Sequence, residues 1–115
     1  VSAHGTSTKM NDREETLALH RVFGAHARKL MVSSQKSMLG HAMGGAGAIE
    51  AVVTVLSVAN QTATPTINLH NPDPECDLDY VPNVARKATI RAAINDSFGF
   101  GGHNSAMIFA HPEVA

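Results

Sequence analysis

Apolar positions along the chain follow three different patterns, and each predicts a different element. Leu19 and Phe23 lie one turn apart with Ala18 and Val22 beside them, a one-sided spacing that predicts an amphipathic surface helix. Asp12-Arg13-Glu14-Glu15 precedes it as a helix start, with Asp12 as the cap and Glu15 reaching back to the cap N–H, and Gly24 supplies the stop. Lys29-Leu30-Met31-Val32-Ser33-Ser34 is a short apolar run ending in polar residues, which predicts a buried strand opening into a loop from Gln35 to Gly45. From Gly47 to Ala59 nearly every position is apolar, including Ile49, Val52, Val53, Val55, Leu56 and Val58. That pattern predicts a helix with no wet face, buried all round.

Beyond Asn60 the pattern breaks. Pro65, Pro72, Pro74 and Pro82 forbid regular helix and predict a long structured connector. Lys87 to Asn95 and Asn104 to Phe109 read as two strands joined by the glycine-rich turn Asp96-Ser97-Phe98-Gly99-Phe100-Gly101-Gly102-His103. With the opening residues read as a strand running into a Gly-Thr-Ser loop, the order strand, helix, strand, helix and two strands predicts a layered α/β architecture. A helix that is apolar on every side needs more cover than one other helix and one small sheet provide. Part of its packing surface is therefore expected from chain outside these residues.

Composition narrows the class. At 115 residues and 43% hydrophobic content the chain is long enough for one compact domain. A net charge of -1 offers no basic face for nucleic acid or an anionic membrane. The apolar run from Ala46 to Ala59 is interrupted by Glu50 and falls short of the roughly 20 residues of a membrane span, so a soluble protein is expected. The opening Val1 and the lack of a basic, then apolar, leader predict that no signal peptide lies within these residues and that the true start lies upstream. The lone Cys76 excludes an internal disulfide and fits a reducing compartment.

Within the apolar helix the single ionisable residue, Glu50, needs a partner, because an unpaired buried carboxylate is costly. Lys36 and His41, in the loop feeding that helix, are the nearest candidates, and the resulting cluster is either a structural pin or a functional nucleus. His4 also follows a strand. If the two strands are parallel neighbours, His4 and the Lys36–His41 loop emerge at the same carboxyl edge, where ligands bind in open α/β sheets. The Phe98–Gly102 segment is either a hairpin turn with two core phenylalanines or a backbone able to present N–H groups to an oxyanion. Cys76 is rejected as a nucleophile because the carboxylates of Asp73, Glu75, Asp77 and Asp79 disfavour its thiolate. The seven histidines form no H-x-x-x-H pair, which argues against a metal site, and His20, His26, His70 and His111 read as surface residues.

Four motifs stand in order: His4-Gly5-Thr6-Ser7-Thr8, Lys36-Ser37-Met38-Leu39-Gly40-His41, Asn68-Leu69 with Asn71-Pro72-Asp73-Pro74, and Ser97-Phe98-Gly99-Phe100-Gly101-Gly102-His103-Asn104. Together they resemble the C-terminal part of the β-ketoacyl-[acyl-carrier-protein] synthases, above all the type II elongating enzymes of fatty acid synthesis. The resemblance implies a thiolase-like α/β fold, layered α-β-α-β-α in a complete enzyme, of which residues 1–115 form most of the C-terminal half. It implies that a cysteine in the other half carries the acyl chain, and that the 115 residues alone are inactive. It implies that His4 and His41 donate to the malonyl thioester oxygen, that Lys36 and Glu50 support them, and that Thr6 and Thr8 hold the phosphopantetheine arm. Phe100 would be the gating phenylalanine and Phe98 its neighbour in the substrate site. His103 stands where many bacterial members have threonine. The implied partners are acyl carrier protein, the N-terminal half of the synthase and a second copy in a homodimer, with no nucleic acid and no membrane. No cofactor is implied beyond the carrier's phosphopantetheine, and the expected location is the cytoplasm, or a plastid or mitochondrion in a eukaryote. A non-catalytic chain-length-factor-like partner and a polyketide ketosynthase segment are the alternatives, and retention of both histidines and the lysine argues for the enzyme.

Overall fold

The computed structural model describes residues 1–114. Its elements are α1 (Lys9–Phe23), a short α2 (Lys36–Leu39), α3 (Ala46–Asn60), β1 (Thr62–Ala63), β2 (Arg86–Lys87), β3 (Ala92–Gly99) and β4 (His103–Ala110). The central layer is assembled from extended segments more than from long strands. Ser2 bridges Ser33 on one side and Asn95 of β3 on the other, both parallel, and Met31 bridges Asp79. β3 then pairs with β4 in antiparallel register from Ala92 opposite Ala110 to Gly99 opposite His103. The expected parallel pairing of the opening segment with the segment before Lys36 is thus present, although Lys29 lies in a 3-10 turn and only single bridges mark the Met31–Ser33 run.

Alternation along the central segments assigns the layers. Ala3 and Val32 point to one face, where they pack with Leu19 of α1, flanked by Phe23, Leu30 and Tyr80. Ser2 and Asn95 point to the other, where Asn95 Nδ2 donates to the Gly47 carbonyl of α3 at 3.2 Å. The two helices therefore cover opposite faces of one layer.

Three sequence expectations change. Thr8, not Asp12, caps α1: its hydroxyl accepts from the Asn11 N–H at 3.2 Å, and Glu15 turns away from the helix start toward the opening loop. Asp96, Ser97 and Phe98 belong to β3 and not to the turn, because pairing with β4 runs on to Gly99; the turn is Phe100–Gly102, with Gly101 and Gly102 at positive φ. Lys87 lies in β2, paired with Thr62.

The largest correction concerns α3. It is not buried all round. Only Ala46, Glu50, Thr54 and Val58, one i,i+4 row, are buried, while Val52 is 61% and Leu56 53% exposed, with Ile49 and Val55 also open. The reason is geometric: β3 and β4 cover a single side, and among the described residues nothing lies over the aliphatic side. Counted from Met43, this stretch reaches 18 residues at mean hydropathy 1.4, long and apolar enough to cross a membrane, which the count from Ala46 did not reach. Its buried row is half polar and docks on a sheet, the pattern of a packing helix.

Candidate functional site

Three chain segments leave the layer at the same edge. His4 follows Ser2-Ala3, Lys36 follows Ser33-Ser34-Gln35, and Phe98 follows Asn95-Asp96-Ser97, all at the carboxyl ends of parallel neighbours. Backbone hydrogen bonds hold them in register: Ala3 N–H to Ser33 O at 2.9 Å, Ser2 N–H to Ile94 O at 2.7 Å and Asp96 N–H to Ser2 O at 3.1 Å.

The first two loops are pressed together at Gly5. Its φ is +43°, and a Cβ there would stand 2.4 Å from Ser34 Cβ. Only glycine permits that approach, which lets the Ser34 hydroxyl donate to Gly5 O at 2.7 Å. Deeper in, Ser2 Oγ lies 2.9 Å from Gln35 Oε1 and 3.0 Å from Asn95 Oδ1, a buried polar lattice under the three loops.

This framework gathers five of the eight expected side chains. The His4 and His41 rings stand 5.7 Å apart, nearly perpendicular, and the Phe98 ring lies 5.3 Å from that of His4. Lys36 Nζ and Glu50 form an ion pair, their side chains 6% and 3% exposed. The carboxylate inferred to need a partner has one, and the lysine charge acts on His4. Burial above all, then Lys36 and the neighbouring His41, holds the His4 imidazole below its ordinary pKa, so it is neutral near pH 7. Its Nδ1 is enclosed without a partner. His41 sits at the open side, its Nδ1 accepting from Met43 N–H at 3.1 Å.

The other three lie further out. Thr6 and Thr8 are hydroxyl neighbours at 3.2 Å on the exposed lip of the loop. Phe100 is 90% exposed at the tip of the β3–β4 turn, which removes the reading of two core phenylalanines. A cavity of about 640 Å³ opens beside the loops, bordered by Thr6, Lys36 and His41 on one side and Asn68 and Asn71 of the connector on the other. Cys76 also borders it, and its thiol is raised, as expected, though chiefly by burial and only secondarily by Asp73 and Asp12.

Two residues escaped the sequence reading. Glu15 and Asp96 lie directly behind His4, and both accept its backbone N–H at 2.8 Å. Burial, then the charge of Glu15, pushes Asp96 up to about 7. The continued alternation Asn95-Asp96-Ser97 was the available signal, since it extends the strand and points Asp96 toward α1.

In chemical terms the edge offers a neutral imidazole backed by a buried cation, a second imidazole beside it and an aromatic wall. Such an array stabilises negative charge developing on an oxygen atom.

Residues 1–70 match the family model described as "Beta-ketoacyl synthase, C-terminal domain". The chain is 55% identical over 109 residues to a 3-oxoacyl-[acyl-carrier-protein] synthase 2 of Synechocystis sp., covering 95% of this chain and 26% of that protein. It is 50% identical over its full length to the granaticin polyketide putative beta-ketoacyl synthase 1 of Streptomyces violaceoruber, covering 27% of that protein. A solved type II polyketide acyl-carrier protein in complex with its ketosynthase superposes with TM-score 0.92 at 44% identity, over 95% of this chain and 27% of that one. A beta-ketoacyl synthase from Burkholderia phymatum gives 0.87 at 40% identity, over 95% of this chain and 26% of that one. The shared architecture is the thiolase-like α/β fold. The chain spans about a quarter of the length of the relatives it matches.

Proposed function

This chain belongs to the β-ketoacyl synthase family, and from that premise we propose that it supplies the histidine half of a condensing-enzyme site. The complete protein would be a 3-oxoacyl-[acyl-carrier-protein] synthase of fatty acid elongation. In this reading an acyl group sits as a thioester on a cysteine outside these residues. Malonyl-carrier protein enters along the cavity, its arm against Thr6 and Thr8. The carboxylate leaves as carbon dioxide, the C–C bonding pair passes to the thioester enolate, and its oxygen accepts hydrogen bonds from His4 and His41. The enolate carbon attacks the acyl thioester, the cysteine sulfur departs as thiolate, and a 3-oxoacyl product remains on the carrier. Lys36, neutralised in part by Glu50, adds positive potential without being consumed. Phe100 gates entry, and its N–H serves the oxyanion of the acyl-transfer step.

The observation that carries this reading is the cluster at one sheet edge in which the buried, neutral His4 and the buried Lys36–Glu50 pair stand beside the exposed His41. The carrier protein as partner is supported by the solved carrier–ketosynthase complex that this chain resembles. An N-terminal half lying over the aliphatic side of α3, a homodimer, a cytoplasmic location and no cofactor beyond the carrier's arm complete the proposal. Higher identity to the fatty-acid enzyme favours it over the polyketide alternative.

The test supplies acyl- and malonyl-carrier protein to the complete synthase and follows both product and adduct by mass spectrometry. A 3-oxoacyl-carrier product extended by one two-carbon unit is expected, with the acyl adduct mapped outside these 115 residues. A thioester on Cys76, or no condensation product, contradicts the reading.

A further inference from the structure

Glu15 on α1 and Asp96 on β3 are 6% and 9% exposed, and neither has a part in the chemistry above. One hydrogen joins them: the His4 N–H lies 2.8 Å from Glu15 Oε1 and 2.8 Å from Asp96 Oδ1. Two carboxyls converging on one donor in a dry site cannot both ionise without mutual repulsion. The donor count decides which keeps the proton. Glu15 takes three N–H groups, from His4, from Gly5 at 2.9 Å and from Asn11 Nδ2 at 2.9 Å, whereas Asp96 takes one.

We propose that Glu15 and Asp96 form a one-proton carboxyl pair that positions His4, with an ionised Glu15 and a neutral Asp96 gripping its N–H between α1 and β3. Loss of the proton from Asp96 sets two anions against each other behind the histidine and loosens the loop. The effect reaches the other side of the ring as well, because Asp96 stands two residues before Phe98, which packs on the imidazole. The other titratable groups facing the pair are Asp12 beside Glu15 on α1 and, beyond the His4 ring, Lys36. The elevated Asp96 acidity, set chiefly by burial and by Glu15, agrees with this assignment. Only the catalytic consequence rests on the proposed role of His4; the shared proton does not.

The test uses the complete synthase and two readouts. In infrared difference spectra across neutral pH, the parent should lose one protonated-carboxyl band with a midpoint near 7. The band should be absent in D96N, and its midpoint should fall by about one pH unit or more in E15Q, where the like charge is gone. In parallel, kcat for malonyl decarboxylation should decline over the same window in the parent, with KM unchanged, whereas the D96N profile should be flat across it. A merely structural role would leave the pH profile of D96N parallel to that of the parent. A band that persists in D96N, a midpoint unmoved in E15Q, or parallel profiles overturns the pair. Should D96N fail to fold, the E15Q midpoint decides alone. The expected infrared signature in a protein without decarboxylase activity would sustain the pair while refuting the functional reading.

Discussion

The His4–Lys36 region and the Phe98–Gly102 turn emerge from the same sheet edge and are held in opposite ways. Around His4, loops are pressed together at Gly5, tied by Ser34 and clasped by Glu15 and Asp96, with the Lys36–Glu50 pair beneath. At the turn, two glycines at positive φ carry a phenylalanine that is 90% exposed. Charge stabilisation requires donors that do not reorganise as charge develops, and a gate requires a segment with few holding contacts. In the proposed function one edge meets both needs, with buried hydrogen bonds at the first region and glycines at the second.

The contrast is sharpest in the buried ion pair. Lys36→Ala should strand Glu50 in a dry site and destabilise the complete synthase by about 3–5 kcal/mol, read by denaturant unfolding. Joint replacement by Met and Leu should recover most of that loss, and a loss shared equally by single and double variants would deny the pair its role. Gly5→Ala combines a positive φ with a Cβ 2.4 Å from Ser34 Cβ. Strain of about 1–3 kcal/mol is expected, with a fall in kcat as the loops are pushed apart, and Ser34→Gly in the same chain should relieve the steric part only. Toward acid two groups oppose each other. Below about pH 6.5 the unfolded chain gains a proton that the native His4 ring resists, which destabilises the fold, whereas Asp96, raised to about 7, takes up its proton in the native state before the unfolded chain does, which stabilises it. His4→Gln should remove the first effect and leave stability rising toward acid in unfolding measured across pH 5–7. The smallest stability effect belongs to the turn: Phe100→Ala should change stability by no more than about 0.5 kcal/mol while altering kcat/KM for carrier-bound substrates. A large stability loss there would erase the distinction between clasp and gate.

Much of this edge was legible in the sequence because its residues are tied by local rules. An ionisable residue inside an apolar helix demanded a partner, and Lys36 proved to be it. Parallel neighbours placed His4 and His41 at one edge, and the rings stand 5.7 Å apart. What stayed hidden depended on long-range pairing. Asp96 read as a turn residue because only its partner strand, some ten residues on, extends β3 through it. Glu15 fitted a helix-start motif equally well, yet its carboxylate is claimed by the loop N–H groups of His4 and Gly5. The cover of α3 misled for another reason: apolar pattern reports what a helix requires, and the described residues meet that requirement on one row only.

The central claim is that His4 and His41 stabilise the enolate formed when the malonyl group loses carbon dioxide. Carbon dioxide release from malonyl-carrier protein by the complete synthase measures this step directly, in the parent and in His4→Ala and His41→Ala. Each substitution removes one oxyanion donor, so a fall of about 10²–10³ in rate is predicted, with malonyl-carrier binding retained. Release within about twofold of the parent in both variants would contradict the account.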